Sequence, residues 1–374
     1  MGRELYETEP VFRSVLDRCD RAFRDCYGRS LVELLYTAPD AEAAASQTYD
    51  LMNSHPCGQA ANYALECALA ELWREWGIRP AAVLGHSLGD FAAAYAAGVL
   101  GLEEGLRLVT RRGELMEQAA GEMVAVMASA QAVAPFVEPY PDAAIGVVNG
   151  PASVVLSGRR DAVLAVSELL AAEGVKSQRL TVSHAFHSPL MAPMLEDFRQ
   201  VAERVTYHPP RLLLVSNVTG QLAGDEIATP GYWVRHVREA VRFADGVAAL
   251  HEQGIGVFLE IGPKPVLLGL AGGDSGQWSV ASGQWSVASG QWGTGGSEQR
   301  AGGSGQEAER MALLPSLRPG QGEWQQLLSS LGALYVRGAA IDWEGFDRGY
   351  ARRKVALPTY EDHGEILKWL MLDN

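Results

Sequence analysis

Ala81-Ala-Val-Leu-Gly-His-Ser-Leu-Gly89 is the stretch that decides the fold. Ala81–Leu84 is a short unbroken apolar run, the pattern of a buried strand. Asp90 to Gly98 is rich in alanine and reads as a helix. Gly-x-Ser-x-Gly between such a strand and helix is the nucleophile-elbow pattern. The turn lifts Ser87 Oγ out of the sheet and aims the helix N-terminus at a developing oxyanion. Gly85 and Gly89, on either side of the serine, let neighbouring chain approach the strained turn. The pentapeptide alone also fits an ordinary turn serine; the flanking strand and helix favour the nucleophile.

Upstream, apolar residues recur at helical spacing from Ala60 to a terminating Gly77. Downstream, Met123–Met127 and Lys176–Val182 read as outer strands. Ala144–Val148 and Ser153–Leu156 flank the turn signal Asn149-Gly-Pro and form a hairpin. Helical patterns at Gln131–Val137 and Asp161–Glu173 complete a β-α-β-β-α-β order, that of a ferredoxin-like unit inserted into a larger α/β domain. The larger domain resumes with a helix at Met191–Glu203 and strands at Leu212–Val215 and Gly256–Ile261. From Ser275 the heptapeptide Ser-Gly-Gln-Trp-Ser-Val-Ala repeats, with too much Gly and Ser for a coiled coil. It reads as a flexible loop; a small tryptophan interaction stripe is the alternative.

Composition excludes several classes. At 374 residues and 47% hydrophobic, wholesale disorder is ruled out. Lys+Arg of 31 against Asp+Glu of 45 gives −14, which argues against a general nucleic-acid-binding role. Cys19, Cys26, Cys57 and Cys67 form no Cys-x-x-Cys pair and no zinc-ligand spacing, so they read as reduced thiols. No apolar run approaches the roughly 20 residues of a membrane span, and the charged N-terminus lacks a signal-peptide core. The expectation is a soluble, cytoplasmic protein without metal or membrane.

A nucleophilic serine needs a base, and the chain carries eight histidines. His86 adjoins Ser87, but successive side chains in a sharp turn point apart. His184 and His187 end the inserted unit, and the residues alone do not choose between them.

Gly85-His-Ser-Leu-Gly89, Arg111-Arg-Gly-Glu-Leu-Met116, His184-Ala-Phe-His-Ser-Pro-Leu-Met191, Ser216-Asn-Val-Thr-Gly220 and Glu260-Ile-Gly-Pro263 occur in an informative order. In these motifs the chain resembles acyltransferase domains of modular polyketide synthases and their relative, the malonyl-CoA:acyl-carrier-protein transacylase. The resemblance covers residues 1–270 and continues through 312–360 as the linker after such domains. It implies an α/β-hydrolase-like core with a parallel sheet, 1–120 and 185–270, with the ferredoxin-like subdomain at 121–184. The repeat loop, 271–306, and a post-acyltransferase linker, 307–374, follow.

The resemblance also implies roles. Ser87 is the nucleophile that becomes the malonyl ester, His187 the base, and Arg112 the holder of the acyl carboxylate, to which a planar guanidinium is suited. His236 aligns with the position whose oxygen orients the base; a structural histidine is the alternative. The Leu88 N–H is implied as an oxyanion donor. Phe186 in His-Ala-Phe-His, and Leu88 after the serine, imply malonyl over methylmalonyl, because Phe186 fills the space an α-methyl needs. Implied partners are malonyl-CoA, an acyl carrier protein bearing its own phosphopantetheine, and a ketosynthase in a larger synthase, with no resident cofactor. Arg159-Arg160 and Arg235/Arg238/Arg242 are candidate docking points for an acidic carrier, against the alternative of a solvated surface.

The chain also departs from the pattern. A first strand and Gly-Gln-Gly-Ser-Gln turn, expected ahead of Met1-Gly-Arg-Glu-Leu-Tyr6, are absent from this sequence; the expectation is impaired oxyanion stabilisation. His55-Pro-Cys-Gly-Gln59 stands where Gln-Pro-Ala-Leu-Phe is common, and Glu361-Asp-His-Gly replaces the usual ending. Two further readings therefore stand beside the malonyltransferase: a serine thioesterase-type hydrolase, and a catalytically silent synthase fragment or docking module.

Overall fold

The computed structural model describes residues 2–36, 56–182, 184–272 and 311–350. The heptapeptide repeat from Ser275 and the basic segment Arg352–Pro358 lie outside the described residues. Described strands are β1 (Ala82–Leu84), β2 (Glu122–Val126), β3 (Ala143–Gly150), β4 (Ser153–Gly158), β5 (Ser177–Arg179), β6 (Leu213–Val215), β7 (Val257–Glu260) and β8 (Ala312–Pro315). They form a parallel β1–β6 pair, a parallel β7–β8 pair and a four-stranded sheet. The chain is thus mixed α/β, with parallel pairing in the larger part and an antiparallel sheet in the inserted one.

β1 leads through the serine turn into the helix Gly89–Ala96, the strand–turn–helix that the sequence predicts. Its residues are half-buried rather than buried. The reason is pairing: among the described residues β6 is its one strand neighbour. Helices Cys57–Glu75 and Leu102–Met116 pack on the helix that follows the serine, and Pro10–Tyr27 packs on both of them. Cys57–Glu75 buries Tyr63, Leu65, Leu69, Leu72 and Trp73 on its inward face. Gly113 makes one close approach possible, because a Cβ there would lie 2.6 Å from Pro56 Cα.

The inserted sheet has the order β3-β4-β2-β5, antiparallel throughout, which is the ferredoxin-like arrangement. β2 is an inner strand, not an outer one as its sequence suggested, being hydrogen-bonded to both β4 and β5. Strand alternation gives the sheet two apolar faces. Val124, Val126, Val154 and Leu156 pack on Val163, Val166 and Leu170 of the helix Arg160–Ala172. Met123, Val147 and Val155 meet Val241, Phe243 and Val247 of the larger domain. Reciprocal bonds, Val148 N–H to Val241 O and Val241 N–H to Gly146 O, stitch the two parts together.

Residues 311–350, within the segment expected as a linker, pack against the larger domain. β8 pairs with β7, the Trp73 indole donates to Ser316 Oγ at 2.9 Å, and Trp76 contacts Trp324 and Phe346. Four strand residues without a strong flanking pattern do not reveal this in the sequence; only burial of Trp73 and Trp76 does. All four cysteines are free thiols, three of them buried. Among the described residues no helix is long and apolar enough to cross a membrane, and no cluster could hold a metal.

Candidate active site

Ser87 has φ 51°, a left-handed conformation that costs a non-glycine residue energy and is held only by its surroundings. Gly85 is required for it, since a Cβ there would overlap the backbone of Gly89 and Asp90. Gly89 is not: outside its own helix the nearest atom to a Cβ is Glu66 Oε2, at 3.9 Å. The steric demand inferred for both glycines therefore falls on one. The turn is clamped by Asn217, which accepts the Ser87 N–H at 2.7 Å and donates to the Gly85 carbonyl at 2.9 Å. Asn217 is buried and follows β6 in a turn organised by Ser216, whose Oγ accepts from the Val218 and Thr219 N–H groups.

His187 Nε2 lies 2.7 Å from Ser87 Oγ. Its Nδ1 faces the Glu239 carbonyl at 2.9 Å, an oxygen that only accepts, so Nδ1 carries the proton and Nε2 is free as a base. His187 also has a positive φ, 55°. Its loop is fixed by Ser188 Oγ donating to Ala185 O and by Ser157 Oγ of β4 donating to Phe186 O. Burial, and then the Arg112 charge, push its pKa down to about 3, against smaller pulls from the Glu239 and His236 carbonyls. His184 sits elsewhere, its Nε2 3.3 Å from the Glu117 carbonyl. His86 turns away from the serine hydroxyl to Asn149 Oδ1, at 2.9 Å.

His236 is buried behind this pair, its ring 6.0 Å from that of His187 and edge-on to it. His187 Nδ1 donates to the Glu239 carbonyl, three residues beyond His236, and the His236 carbonyl also faces the imidazole and pulls its pKa up. The His236 imidazole instead lies 3.5 Å from Asp90 Oδ2, which accepts from Tyr232 at 3.0 Å. Burial drives the His236 pKa well down and pushes that of Asp90 up to about 7, the direction of a neutral pair.

Arg112, on Leu102–Met116, is 2% exposed and approaches Ser87 Oγ at 3.2 Å through Nη2. Nη1 donates to Gln59 Oε1 at 2.6 Å, and the guanidinium stands 5.8 Å from the Phe91 ring centroid. Among the described residues no carboxylate lies within ion-pair distance of it. Burial lowers its pKa to about 9, which leaves it charged at neutral pH. A buried, unneutralised guanidinium beside a nucleophile is a receptor for an anion. Leu88 begins the helix after the serine, and no described residue accepts its N–H. Phe186 is half-buried, packed against both the large core and its seam with the inserted sheet.

The chain matches the acyl transferase domain family over residues 1–341. It belongs to that family. It is 40% identical over 364 residues to the polyketide synthase GfsA of Streptomyces halstedii, which covers 96% of this chain and 4% of the synthase. The acyltransferase domain from the second module of the salinomycin polyketide synthase superposes with a TM-score of 0.78 at 38% identity, over 96% of this chain and 75% of that one. A malonyl-transacylase in complex with a type II polyketide acyl-carrier protein, PlMCAT:AntF, gives 0.64 at 28% identity, over 72% and 87%.

In this acyltransferase the candidate docking arginines are largely engaged. Arg159 pairs with Asp142 and Asp161, Arg160 approaches Glu122, Arg235 pairs with Glu239 and Arg242 with Asp245. The sequence reading had no role for Asn217, Asn149, Ser157 or the Glu239 carbonyl. Asn217 stood in a quoted motif, but its contacts span 130 and 132 residues of chain and leave no local signal.

Proposed function

We propose that this acyltransferase domain moves a malonyl group from malonyl-CoA to Ser87 and then to the phosphopantetheine thiol of an acyl carrier protein. One observation carries the reading: Ser87 Oγ stands 2.7 Å from a neutral imidazole and 3.2 Å from a buried guanidinium without a carboxylate partner. Ser87 Oγ attacks the thioester carbonyl while His187 Nε2 takes its proton. The C–O ester bond forms, the C–S bond breaks, and the proton passes to the coenzyme A thiolate. The acceptor thiol then attacks the ester, gives its proton to His187, and Ser87 Oγ recovers it.

Arg112 binds the acyl carboxylate with its two-pronged edge. The Leu88 N–H, at the start of the helix Gly89–Ala96, donates to the tetrahedral oxyanion. His236 supports the base from behind and makes no contact with the acyl group. Phe186 crowds the α-carbon, and one methyl is worth about 1–3 kcal/mol in such a pocket, so malonyl is preferred without strict exclusion of methylmalonyl. No step calls for a resident cofactor.

Intact mass after incubation with malonyl-CoA should gain one malonyl group, lost in Ser87→Ala. A folded sample that forms no adduct would overturn the reading. Equal loading from an equimolar malonyl- and methylmalonyl-CoA mixture would remove the preference. Supplying a holo carrier protein should move the label to its thiol; release as free malonate instead would favour the hydrolase.

A further inference from the structure

Arg112 is buried, yet its described anchor is a neutral amide. Gln59 Oε1 takes the Nη1 edge at 2.6 Å, while Gln59 Nε2 contacts Met116 Sδ at 3.5 Å, one turn beyond Arg112 on the same helix. Gln59 is 8% exposed and Met116 fully buried, so the amide has one orientation that serves both neighbours. Glycine at 113 brings Pro56, and with it the start of the helix Cys57–Glu75, against Leu102–Met116. This contact sets Gln59 opposite Arg112.

The choice of an amide matters electrostatically. A carboxylate at this distance would form a buried ion pair and spend the guanidinium charge internally. An apolar side chain would leave Nη1 buried without an acceptor, at the cost of an unsatisfied charged donor. An amide orients the fork and leaves its charge available. We propose that Gln59 is a positioning residue that holds Arg112 charged and aimed past Ser87 Oγ, and so selects acyl thioesters carrying a free carboxylate over uncharged ones. The inference rests on the malonyl-transfer reading given above and adds to it the origin of acid selectivity.

The test compares Ser87 acylation by malonyl-CoA and by acetyl-CoA in the full chain, read by intact mass over a range of thioester concentrations. Gln59→Glu supplies a permanent internal carboxylate, so the malonyl specificity constant should fall by about 10- to 100-fold, the scale of one charged hydrogen bond. The acetyl value should stay within about twofold, and the malonyl loss should appear chiefly in KM, as for an interaction made before the chemistry. Gln59→Leu should likewise lower the malonyl value while leaving the acetyl value within about twofold. Should Gln59→Glu fail to fold, the Gln59→Leu ratio and that of the shortened amide Gln59→Asn decide the question. Variants that keep the wild-type malonyl-to-acetyl ratio, or lose both substrates equally, overturn the role of Gln59. Failure of the wild-type chain to form a malonyl adduct at Ser87 is a different result, which removes the malonyl reading itself.

Discussion

His187 serves as a base only while it is unprotonated, and its surroundings ensure that. A free imidazole titrates near 6.5, but burial and the neighbouring Arg112 charge bring His187 to about 3. The rate of Ser87 acylation at saturating malonyl-CoA should therefore stay flat from pH 8 to about 5, with its acid limb lower still. An apparent pKa near 6.5 in that profile would contradict this geometry. Asn217 matters at the same scale, because it holds both peptide groups flanking the strained elbow. Asn217→Ala should slow acylation about 100-fold, the usual penalty for small misplacement of a reacting atom. Asn217→Asp keeps the acceptor for Ser87 N–H and loses the donor to Gly85, so its rate should fall in between.

The two glycines of the elbow separate at the level of elements. Gly85→Ala would drive a Cβ into the Gly89–Asp90 backbone, whereas Gly89→Ala places one on a helix in ordinary contact with Glu66 Oε2 at 3.9 Å. The first should abolish adduct formation; the second should be neutral or raise stability by up to about 1 kcal/mol. Thermal melts and mass measurement on both variants check the contrast. Gly113→Ala should push apart the helices Cys57–Glu75 and Leu102–Met116, costing about 1–3 kcal/mol as overpacking does. It should also raise KM for malonyl-CoA by moving Gln59 from Arg112. Elements of strong period were legible in the sequence: the β3–β4 hairpin, the helix Arg160–Ala172 and the elbow itself. Their neighbours were not, because β2's inner place depends on strands some 30 and 55 residues further along the chain.

Across the whole molecule, three acids among the described residues have desolvated carboxyl groups that resist ionisation, Asp90 buried and Glu66 and Glu260 half-buried. Burial pushes Glu66 up to about 8, with the Glu260 carboxylate adding to it, and pushes Asp90 and Glu260 up to about 7. Each folded-state pKa exceeds its unfolded value, so the folded state binds more protons between about pH 4 and 7–8. These groups therefore favour the fold at low pH, and that contribution is lost as pH rises through 7–8. Glu66→Gln removes one such charge, whose Oε2 has no described hydrogen-bond partner. Its melting temperature relative to wild type should rise from pH 5 to pH 9, and a difference independent of pH would refute the burial of a charged Glu66.

The sequence by itself determined the family, the strand–turn–helix at Ser87 and the ferredoxin-like order, because these are written in local periodicity and in contiguous motifs. Tertiary structure decided how the groups meet. His187, which the motif resemblance implied as the base and the residues alone did not separate from His184, reaches Ser87 across 100 residues of chain. Glu239 offers a backbone carbonyl to the base, which no side-chain identity can announce. Residues 312–315 pair with β7, and Gln59 sets Arg112, 53 positions away. Hydrogen bonds and burial act through distance in space, and chain sequence encodes that distance only through the completed packing.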